Sequence, residues 1–456
     1  MTTYSRRSFF KFSMAAAAGF AGMRTLMENH AWAAPMASNI VDGFGPTIPD
    51  PNGIFDLPEK FTYKIISKMG DSMNDGFLVP GAADGMAAFP GPEGKTILVR
   101  NHELSNDAHK MGPYGEMNRL FGRAPKELLY DTAHGQQPCI GGTTTVVFDT
   151  KTQSVVHEYL SLTGTIRNCA GGPTPWGSWV TCEETVQRAE GMFEQDHGYN
   201  FEVPAQANGG LTKPIALKAM GRFNHEAVAV DPQFGIVYQT EDRQDGLIYR
   251  FVPNTPGHLA GGGILQSLVV CDRKSCDTRN WGEGDAISVG AGFEVEWMDM
   301  QDVESPNDDL RIQGFEGGAA RFARGEGMWY GHGGIYFACT NGGHAKKGQI
   351  WKYTQGESIK RGRLELFVEP NEGTLIENCD NLTVAPWGDL VVCEDGDGDQ
   401  FLVGITPEGS IYKFGRNAVS ASELAGATFS PDGSTLFVNI QHNGLTLAIT
   451  GPWRTA

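Results

Sequence analysis

The sequence predicts an all-β fold, a six-bladed β-propeller whose long inserted loops cover one end of the central channel. Three observations favour this fold. One short pattern recurs six times along the 456 residues. The chain contains 60 glycines and 24 prolines, a turn-rich composition that is typical of many short strands. A short apolar run follows each turn, as expected of strands buried inside a protein.

Each copy of the repeat opens six positions before a turn, in most cases with a polar residue. The turn begins with proline in five copies and ends in glycine, and the apolar run after it ends in a carboxylate or an amide. Repeats of one such unit, tens of residues apart, indicate a stacked or radial architecture. The copies begin at Asp84, Cys169, Glu226, Glu326, Asp380 and Ala425.

Each copy predicts two strands joined by the turn. The second strands are predicted at 97–103, 179–184, 237–242, 335–341, 390–395 and 436–441. Further strands at 143–149, 247–252, 349–354 and 364–369 would complete blades of four strands. A propeller protects its sheet edges by radial repetition. A β-sandwich is the alternative, but it would not need one register repeated six times.

Two long insertions interrupt the repeats, at about 104–140 and 272–320. The first predicts a helix near Gly115–Leu129. Since long loops collect at the ends of such folds and carry function, we expect the insertions to cover one end of the channel.

The N-terminus predicts an export signal rather than part of the fold. Ser5-Arg6-Arg7-Ser8-Phe9-Phe10-Lys11 is a twin-arginine pattern, a weakly apolar stretch follows, and Ala31-Trp32-Ala33 offers a cleavage site. The stretch is too short and too rich in alanine and glycine for a stable membrane span. We therefore predict a signal peptide at 1–33, export by the twin-arginine machinery to the periplasm or the exterior, and a single catalytic domain at 34–456.

The net charge of −18 argues against nucleic acid as a partner, because such binding needs a basic surface. The chain has eight cysteines, of which Cys271 and Cys276 are close enough in sequence to form a small disulfide loop. Cys182 and Cys393 lie inside apolar runs, where thiols pack as small hydrophobic groups.

In a propeller the inner strands face the channel, so residues at one register of every blade meet there. Many carboxylates gathered in a small space repel one another and require cations. Carboxylate oxygen suits Ca²⁺, whereas a thiolate indicates a transition metal such as iron or zinc. The alternative is solvated loop carboxylates and a structural thiol. The predicted metal ligands are Cys169, Glu226, Glu326 and Asp380 at the first positions, and Glu103, Glu183, Glu184, Glu241, Glu394 and Asp395 at the strand ends.

Arg324 stands two residues before Glu326. A guanidinium beside a metal cluster is suited to clamp an oxyanion, most naturally phosphate. The alternative is that Arg324 only pairs with a neighbouring carboxylate.

At these residues the chain resembles the PhoX-type secreted alkaline phosphatases. The matching segments, in order, are SRRSFFKF, LVRNHEL, RNCAGGPTPWGSWVTCEE, GRFNHEAVAVD, RFARGEGMWY, NCDNLTVAPWGDLVVCEDG and FSPDGSTLFVNIQH. The resemblance implies a six-bladed propeller with a central cluster of two ferric ions and calcium ions. It implies that Cys169 bridges the irons, that Glu226 binds iron, and that Arg324 and Glu326 bind phosphate and calcium. The Arg-Pro-Glu of the family is Arg-Gly-Glu here.

The sequence therefore predicts a secreted phosphatase that hydrolyses small phosphomonoesters and releases inorganic phosphate, with Fe³⁺ and Ca²⁺ as cofactors. Cys169, Glu226 and Arg324 are the predicted catalytic residues, and Arg324 also binds substrate. One alternative is a calcium-dependent lactonase or esterase, which would have no use for the Cys169 thiolate. Another is a non-enzymatic binding propeller in which metals only brace the fold.

Overall fold

The computed structural model describes residues 40–282, 284 and 286–454 of the chain. These residues are mostly β-strand, which confirms the all-β prediction. The only α-helix among them is α1, Leu310–Gly317. None of their helices is long and apolar enough to cross a membrane. The predicted signal peptide lies outside the described residues.

Twenty-seven strands occur in the described residues. In chain order they are β1 Thr47–Ile48, β2 Phe55–Pro58, β3 Thr62–Lys68, β4 Ala83–Pro90, β5 Thr96–His102, β6 Gly141–Asp149, β7 Ser154–Thr165, β8 Asn168–Pro173, β9 Ser178–Glu183, β10 Asn200–Pro204, β11 His225–Val230, β12 Val237–Glu241, β13 Gly246–Pro253, β14 Gly263–Val270, β15 Gly292–Asp299, β16 Arg321–Phe322, β17 Gly325–Gly331, β18 Gly334–Cys339, β19 Gln349–Gln355, β20 Arg361–Val368, β21 Cys379–Val384, β22 Leu390–Glu394, β23 Phe401–Ile405, β24 Ile411–Asn417, β25 Leu424–Phe429, β26 Thr435–Ile440 and β27 Leu445–Thr450.

Each sequence repeat forms an antiparallel pair, as predicted. The pairs are β4–β5, β8–β9, β11–β12, β17–β18, β21–β22 and β25–β26. The first strands of the pairs pack side by side in chain order, and β25 packs against β4, so the six strands surround a common axis. The arrangement is propeller-like.

The outer strands extend these pairs into sheets of three to ten strands. β4–β7 form one sheet and β8–β10 another, while β21–β24 continue into β2 and β1. β3, from the beginning of the described chain, completes the last sheet by pairing with β27. Strands near the beginning and the end of the described part of the chain are therefore joined through hydrogen bonds.

The prediction of six separate blades is wrong. The structure has four separate sheets and one ten-stranded sheet. The reason is β15, which comes from the second insertion and pairs with both β14 and β20. It connects the sheets built on the third and fourth repeats at their outer edges.

The insertions also differ from expectation. The segment predicted as a helix near 115–129 contains only short 3₁₀ turns, at Glu116–Asn118, Phe121–Arg123 and Lys126–Leu128. Pro125 interrupts the segment, and proline is poorly tolerated inside a helix. Cys271 and Cys276 are free thiols, as are the other six cysteines.

Candidate functional site

A cavity of about 420 Å³ opens at one end of the axis, where the six first strands meet. Each repeat has three positions around this end of the axis, and we name them; their residues line the cavity except for Asn224, Thr340, Asn378 and Ala425. The axial residues are Asp84, Cys169, Glu226, Glu326, Asp380 and Ala425. The rim residues, which directly follow the second strand, are Glu103, Glu184, Asp242, Thr340, Asp395 and Gln441. The entry residues, two positions before the axial ones, are Ala82, Arg167, Asn224, Arg324, Asn378 and Glu423.

A break in strand pairing positions the axial residues. In every repeat the register between the two strands shifts at the axial residue, for example between Ala83 and Met86 and between Asn168 and Gly171. A bulge of this kind bends the strand and re-aims a side chain. The irregularity therefore turns the axial side chain away from the sheet and toward the axis.

A hydrogen bond repeated in all six units connects the other two positions. The backbone N–H of each rim residue donates to the carbonyl oxygen of the entry residue in its own unit, at 2.9–3.3 Å. Four entry residues have positive φ, at 45–54°: Ala82, Arg167, Arg324 and Asn378. Non-glycine residues seldom adopt this conformation, and it concentrates at functional sites.

Small residues follow the axial positions because neighbouring backbones touch there. A Cβ on Gly327 would lie 2.5 Å from the carbonyl oxygen of Asp380, and one on Gly426 would lie 2.3 Å from that of Asp84. Beneath the cavity the axis therefore narrows to a void of about 20 Å³, room for about one water molecule.

Most of the predicted site residues line the cavity together. They are Cys169, Glu226, Arg324, Glu184, Glu326, Asp380, Asp395 and Glu103.

Glu183, Glu241 and Glu394 do not line the cavity, so the structure does not bring them together with the other predicted site residues. Successive residues of a strand point to opposite faces, and each of the three is the last strand residue before a rim residue. Glu241 accepts from the Leu247 N–H at 3.1 Å and the Tyr249 hydroxyl at 3.0 Å.

The other two have similar structural roles. Glu183 accepts from His197 Nδ1 at 2.6 Å and from the Gly198 N–H at 2.9 Å. Glu394 accepts from Lys413 Nζ at 2.8 Å and, at 3.0 Å, from the N–H of Phe401.

Six residues with a carboxylate, guanidinium or amide side chain that line the cavity were missed. They are Asp84, Asp107, Arg167, Asp242, Glu423 and Gln441. The repeat carried a signal for several of them. Asp242 stands seven residues after the turn glycine, as Glu184 and Asp395 do, and Arg167 stands at the position of Arg324 in another repeat.

The cavity has a large excess of negative charge. Ten carboxylates and two arginines line it. Burial, and after it the neighbouring carboxylates, raise the pKa of Asp84 and of Glu226 well above the ordinary value. Burial raises the pKa of Glu184 to about 8 even though Arg167 opposes the shift, and burial together with Asp395 raises the pKa of Asp380 to about 7. The cavity therefore favours bound cations or protons.

Both arginines are held by carboxylates. Arg324 donates through Nε and Nη2 to the two oxygens of Asp242, at 2.8 and 3.0 Å, and through Nη2 to Glu326 at 2.7 Å. Its Nη1 donates to no atom of the described residues, and about a third of the side chain is exposed. Arg167 pairs with Glu103 at 2.7 Å and with Glu184. The bidentate pair of Arg324 nitrogens, which was predicted to bind an oxyanion, thus binds Asp242. Nη1 remains available to bind an anion.

Cys169 is a buried thiol beside the carboxyl of Glu226. Its Sγ lies 3.3 Å from the carbonyl oxygen of His225, to which the thiol donates. Burial, followed by Glu226 and Glu184, raises the pKa of the Cys169 thiol well above the ordinary value. The thiolate form therefore needs a cation.

The donor set suits metal ions. The ligand atoms of Glu226, Glu326 and Asp380 lie within 4.8 Å of one another, and so do those of Asp84, Glu103 and Glu423. Asp84 Oδ1 is buried and has no hydrogen-bond partner among the described residues. Unpaired carboxylate oxygens of this kind are the ligands that hard cations prefer. Cys169 lies outside both triads and is the one thiol among the residues that line the cavity.

The metal-free protein should lose stability as pH rises from about 5 to about 8, the pKa of Glu184. The folded chain keeps protons on Glu184 and Asp380 that the unfolded chain, in which these groups have their ordinary pKa values of 4.5 and 3.8, releases in this range. Folding is therefore favoured at the acidic end. Melting temperatures of chelated protein across this range measure the effect, and Glu184→Gln should flatten the slope. Stability that increases with pH would contradict the assignment.

Replacing Glu241 and Asp242 one at a time should separate fold from function. Glu241→Ala leaves the Leu247 N–H and the Tyr249 hydroxyl unpaired and should cost about 1–3 kcal/mol of unfolding free energy. Asp242→Asn should instead lower turnover, because it removes the charge that orients Arg324. Denaturant unfolding and kcat/KM report the two effects. Equal loss of turnover in both variants would show that the residues do not have separate roles.

Comparisons with known proteins identify a family and a similar fold. A family model described as alkaline phosphatase PhoX matches residues 42–444. The structure of Pseudomonas fluorescens PhoX, solved in complex with vanadate, a transition state analogue, is similar with a TM-score of 0.64 at 17% identity, over 92% of this chain and 98% of that one. At that identity the structural likeness shows the fold alone.

A gluconolactonase from Xanthomonas campestris is similar over 90% of this chain and 98% of that one, with a TM-score of 0.42 and 11% identity. That likeness is too distant to support an argument about activity. The search of curated proteins gives no match.

Proposed function

Because the chain belongs to the alkaline phosphatase PhoX family and is therefore a phosphatase, we propose that it hydrolyses small phosphomonoesters with iron and calcium held in the axial cavity. The observation that carries the proposal is the cavity itself, where ten carboxylates surround a buried thiol and a guanidinium with one uncommitted nitrogen. Such a site attracts metal ions and, once they are bound, a phosphate group.

The calcium ligands in this proposal are the oxygen donors. Asp84, Glu103 and Glu423 form one triad, and Glu326 and Asp380 belong to the other. The iron ligands are the Cys169 thiolate and the adjacent Glu226, because a thiolate is unsuited to calcium. When bound, the cations neutralise the carboxylates and withdraw charge from the phosphoryl oxygens as Lewis acids.

Arg324 positions the phosphate. Asp242 and Glu326 fix its guanidinium, so Nη1 is aimed without further loss of rotational freedom. A donor that is fixed beforehand stabilises the charge that develops on the phosphoryl oxygens in the transition state. Arg167 occupies the equivalent entry position and keeps Glu103 and Glu184 in place through its own ion pairs.

We also propose that the protein acts outside the cytoplasm. The twin-arginine pattern at residues 5–11 supports this location. The predicted partners are the twin-arginine export machinery and small phosphoesters, and the acidic charge argues against nucleic acid as a partner.

Two measurements on the exported full-length protein test the proposal. Elemental analysis should find both iron and calcium, and an aryl phosphate should be hydrolysed at a rate that falls on chelation and returns when the metals are restored. Asp399→Asn is the control, since that carboxylate is exposed and pairs with Arg416 away from the cavity. Calcium without iron, together with lactone hydrolysis, would support the lactonase alternative. Metals without turnover of any phosphoester would support a binding protein.

A further inference from the structure

Three unlike metal-binding side chains meet outside the axial cavity. Asp131, Cys139 and His197 have ligand atoms within 4.8 Å of one another, and none of the three lines the cavity. Their exposed fractions are 1%, 0% and 0%. A carboxylate, a thiol and an imidazole packed together in the protein interior resemble the donor set of a structural transition-metal site.

The two nitrogens of His197 have different partners. Nδ1 lies 2.6 Å from Glu183, a short charge-assisted hydrogen bond. Nε2 lies 3.4 Å from Asp131 Oδ2, which is long for such a bond. Two ligands bound tetrahedrally to zinc, each at about 2.1 Å, stand about 3.4 Å apart. The Nε2–Oδ2 separation therefore matches two ligands of one metal ion better than a donor and its acceptor.

A fourth donor is available in the first insertion. The Asn106 side chain contacts Cys139 Sγ through Nδ2 at 3.4 Å. Its Oδ1 is buried and has no hydrogen-bond partner among the described residues. A buried amide oxygen without a partner is costly, and a cation beside Cys139 would satisfy it. Rotation of the Asn106 side-chain amide would place Oδ1 instead of Nδ2 beside Cys139 Sγ.

We propose that Asp131, Cys139, His197 and Asn106 hold a structural zinc ion. Imidazole and thiolate suit zinc, and four protein donors make a closed tetrahedral site. Glu183 orients His197 through Nδ1, the arrangement found behind most metal-bound histidines. On binding, the Cys139 thiol and Nε2 of the protonated His197 each release a proton to solvent, and Nδ1 keeps its proton toward Glu183.

The zinc ion connects the first insertion to the sheet that carries Cys169. Asn106, Asp131 and Cys139 belong to the insertion, whereas Glu183 ends β9 and His197 precedes β10. Ser105 and Asp107, on either side of Asn106, line the cavity. The ion therefore anchors the insertion at the place where it borders the cavity, and this role is independent of the phosphatase chemistry.

The rival explanation is a metal-free cluster in which His197 is an imidazolium between two carboxylates. Burial opposes that charge, but Glu183 and Asp131 outweigh it and raise the pKa of His197 well above its ordinary value. Zinc content decides between the two explanations, because only the metal site holds zinc.

Element analysis of full-length variants is the test. Wild type, dialysed against buffer with trace zinc, should hold one zinc per chain more than Cys139→Ser. Cys339→Ser is the matched control, because that thiol is also fully buried but belongs to no metal-ligating cluster among the described residues, and it should keep the zinc. Cys169→Ser should keep it too, since Cys169 belongs to the other site. Equal zinc in wild type and Cys139→Ser would overturn the proposal.

If Cys139→Ser does not fold, zinc-edge X-ray absorption of Cys169→Ser gives the answer. With the cavity thiol removed, a zinc–sulfur distance of about 2.3 Å should remain, with nitrogen and oxygen neighbours at about 2.0–2.2 Å. Zinc with oxygen and nitrogen neighbours alone, or no zinc, would establish the metal-free imidazolium cluster instead.

Discussion

Replacing Cys169 with serine should remove iron from the protein and lower the phosphatase rate by roughly 10³-fold or more, the effect of losing several kcal/mol of Lewis-acid stabilisation. An alcohol ionises far less readily than a thiol and is a poor ligand for iron. The exchange removes the one thiol from a cavity whose other proposed metal ligands are carboxylates. Iron content and kcat/KM on an aryl phosphate measure the two losses together.

Cys182→Ser is the control for this experiment. Cys182 is fully buried in β9 and does not line the cavity, so its replacement should mainly lower the melting temperature. If Cys169→Ser keeps both iron and activity, the thiol is only a structural donor to the His225 carbonyl.

Arg324→Lys should lower kcat/KM by on the order of 10²–10³-fold while the metal content stays near that of wild type. Lysine keeps the positive charge, but its single ammonium group cannot make the two hydrogen bonds to Asp242 and also donate to phosphate from a separate nitrogen. The loss should therefore appear on every phosphoester tested, because the phosphate group is common to all of them.

Arg416→Lys is a matched control for Arg324→Lys. Arg416 also pairs with a carboxylate, that of Asp56, through Nε and Nη2. The exposed fractions of the two side chains are similar, 32% for Arg416 and 31% for Arg324. Its replacement should leave kcat/KM unchanged. A rate for Arg324→Lys within twofold of wild type would refute the phosphate-binding role. Loss of metals along with activity would instead make Arg324 a structural partner of Glu326.

The repeat made the fold and the axial residues predictable. Five of the six inner strands have a polar residue at one register, and such residues were expected to converge on the axis, as Cys169, Glu226, Glu326 and Asp380 do. The strand ends were harder to interpret because Glu183 and Glu184 are adjacent acids that point opposite ways. Which of the two faces the cavity depends on the bulge at Asn168–Gly171, and a bulge leaves no clear mark in composition.

Other features depend on contacts that one sequence does not reveal. β15 lies in an insertion without the repeat, so nothing in its sequence predicted that it would pair with two sheets. Glu423 joins the cavity from the one repeat whose axial residue is alanine, two positions earlier than the pattern places a ligand. The residues of the proposed zinc site come from irregular segments, in which the spacing along the sequence does not indicate which side chains meet. They are Asn106, Asp131, Cys139 and His197.

The pairing of β15 with both β14 and β20 also affects how the propeller-like fold unfolds locally. Because β15 covers the edges of both β14 and β20, the sheets of the third and fourth repeats have no free boundary between them and should exchange their amide hydrogens as one cooperative block. Asp242 belongs to one of these repeats and Arg324 to the other. Partial unfolding should therefore start at boundaries between separate sheets, and the carboxylate and the arginine that it holds should stay together until the block itself melts.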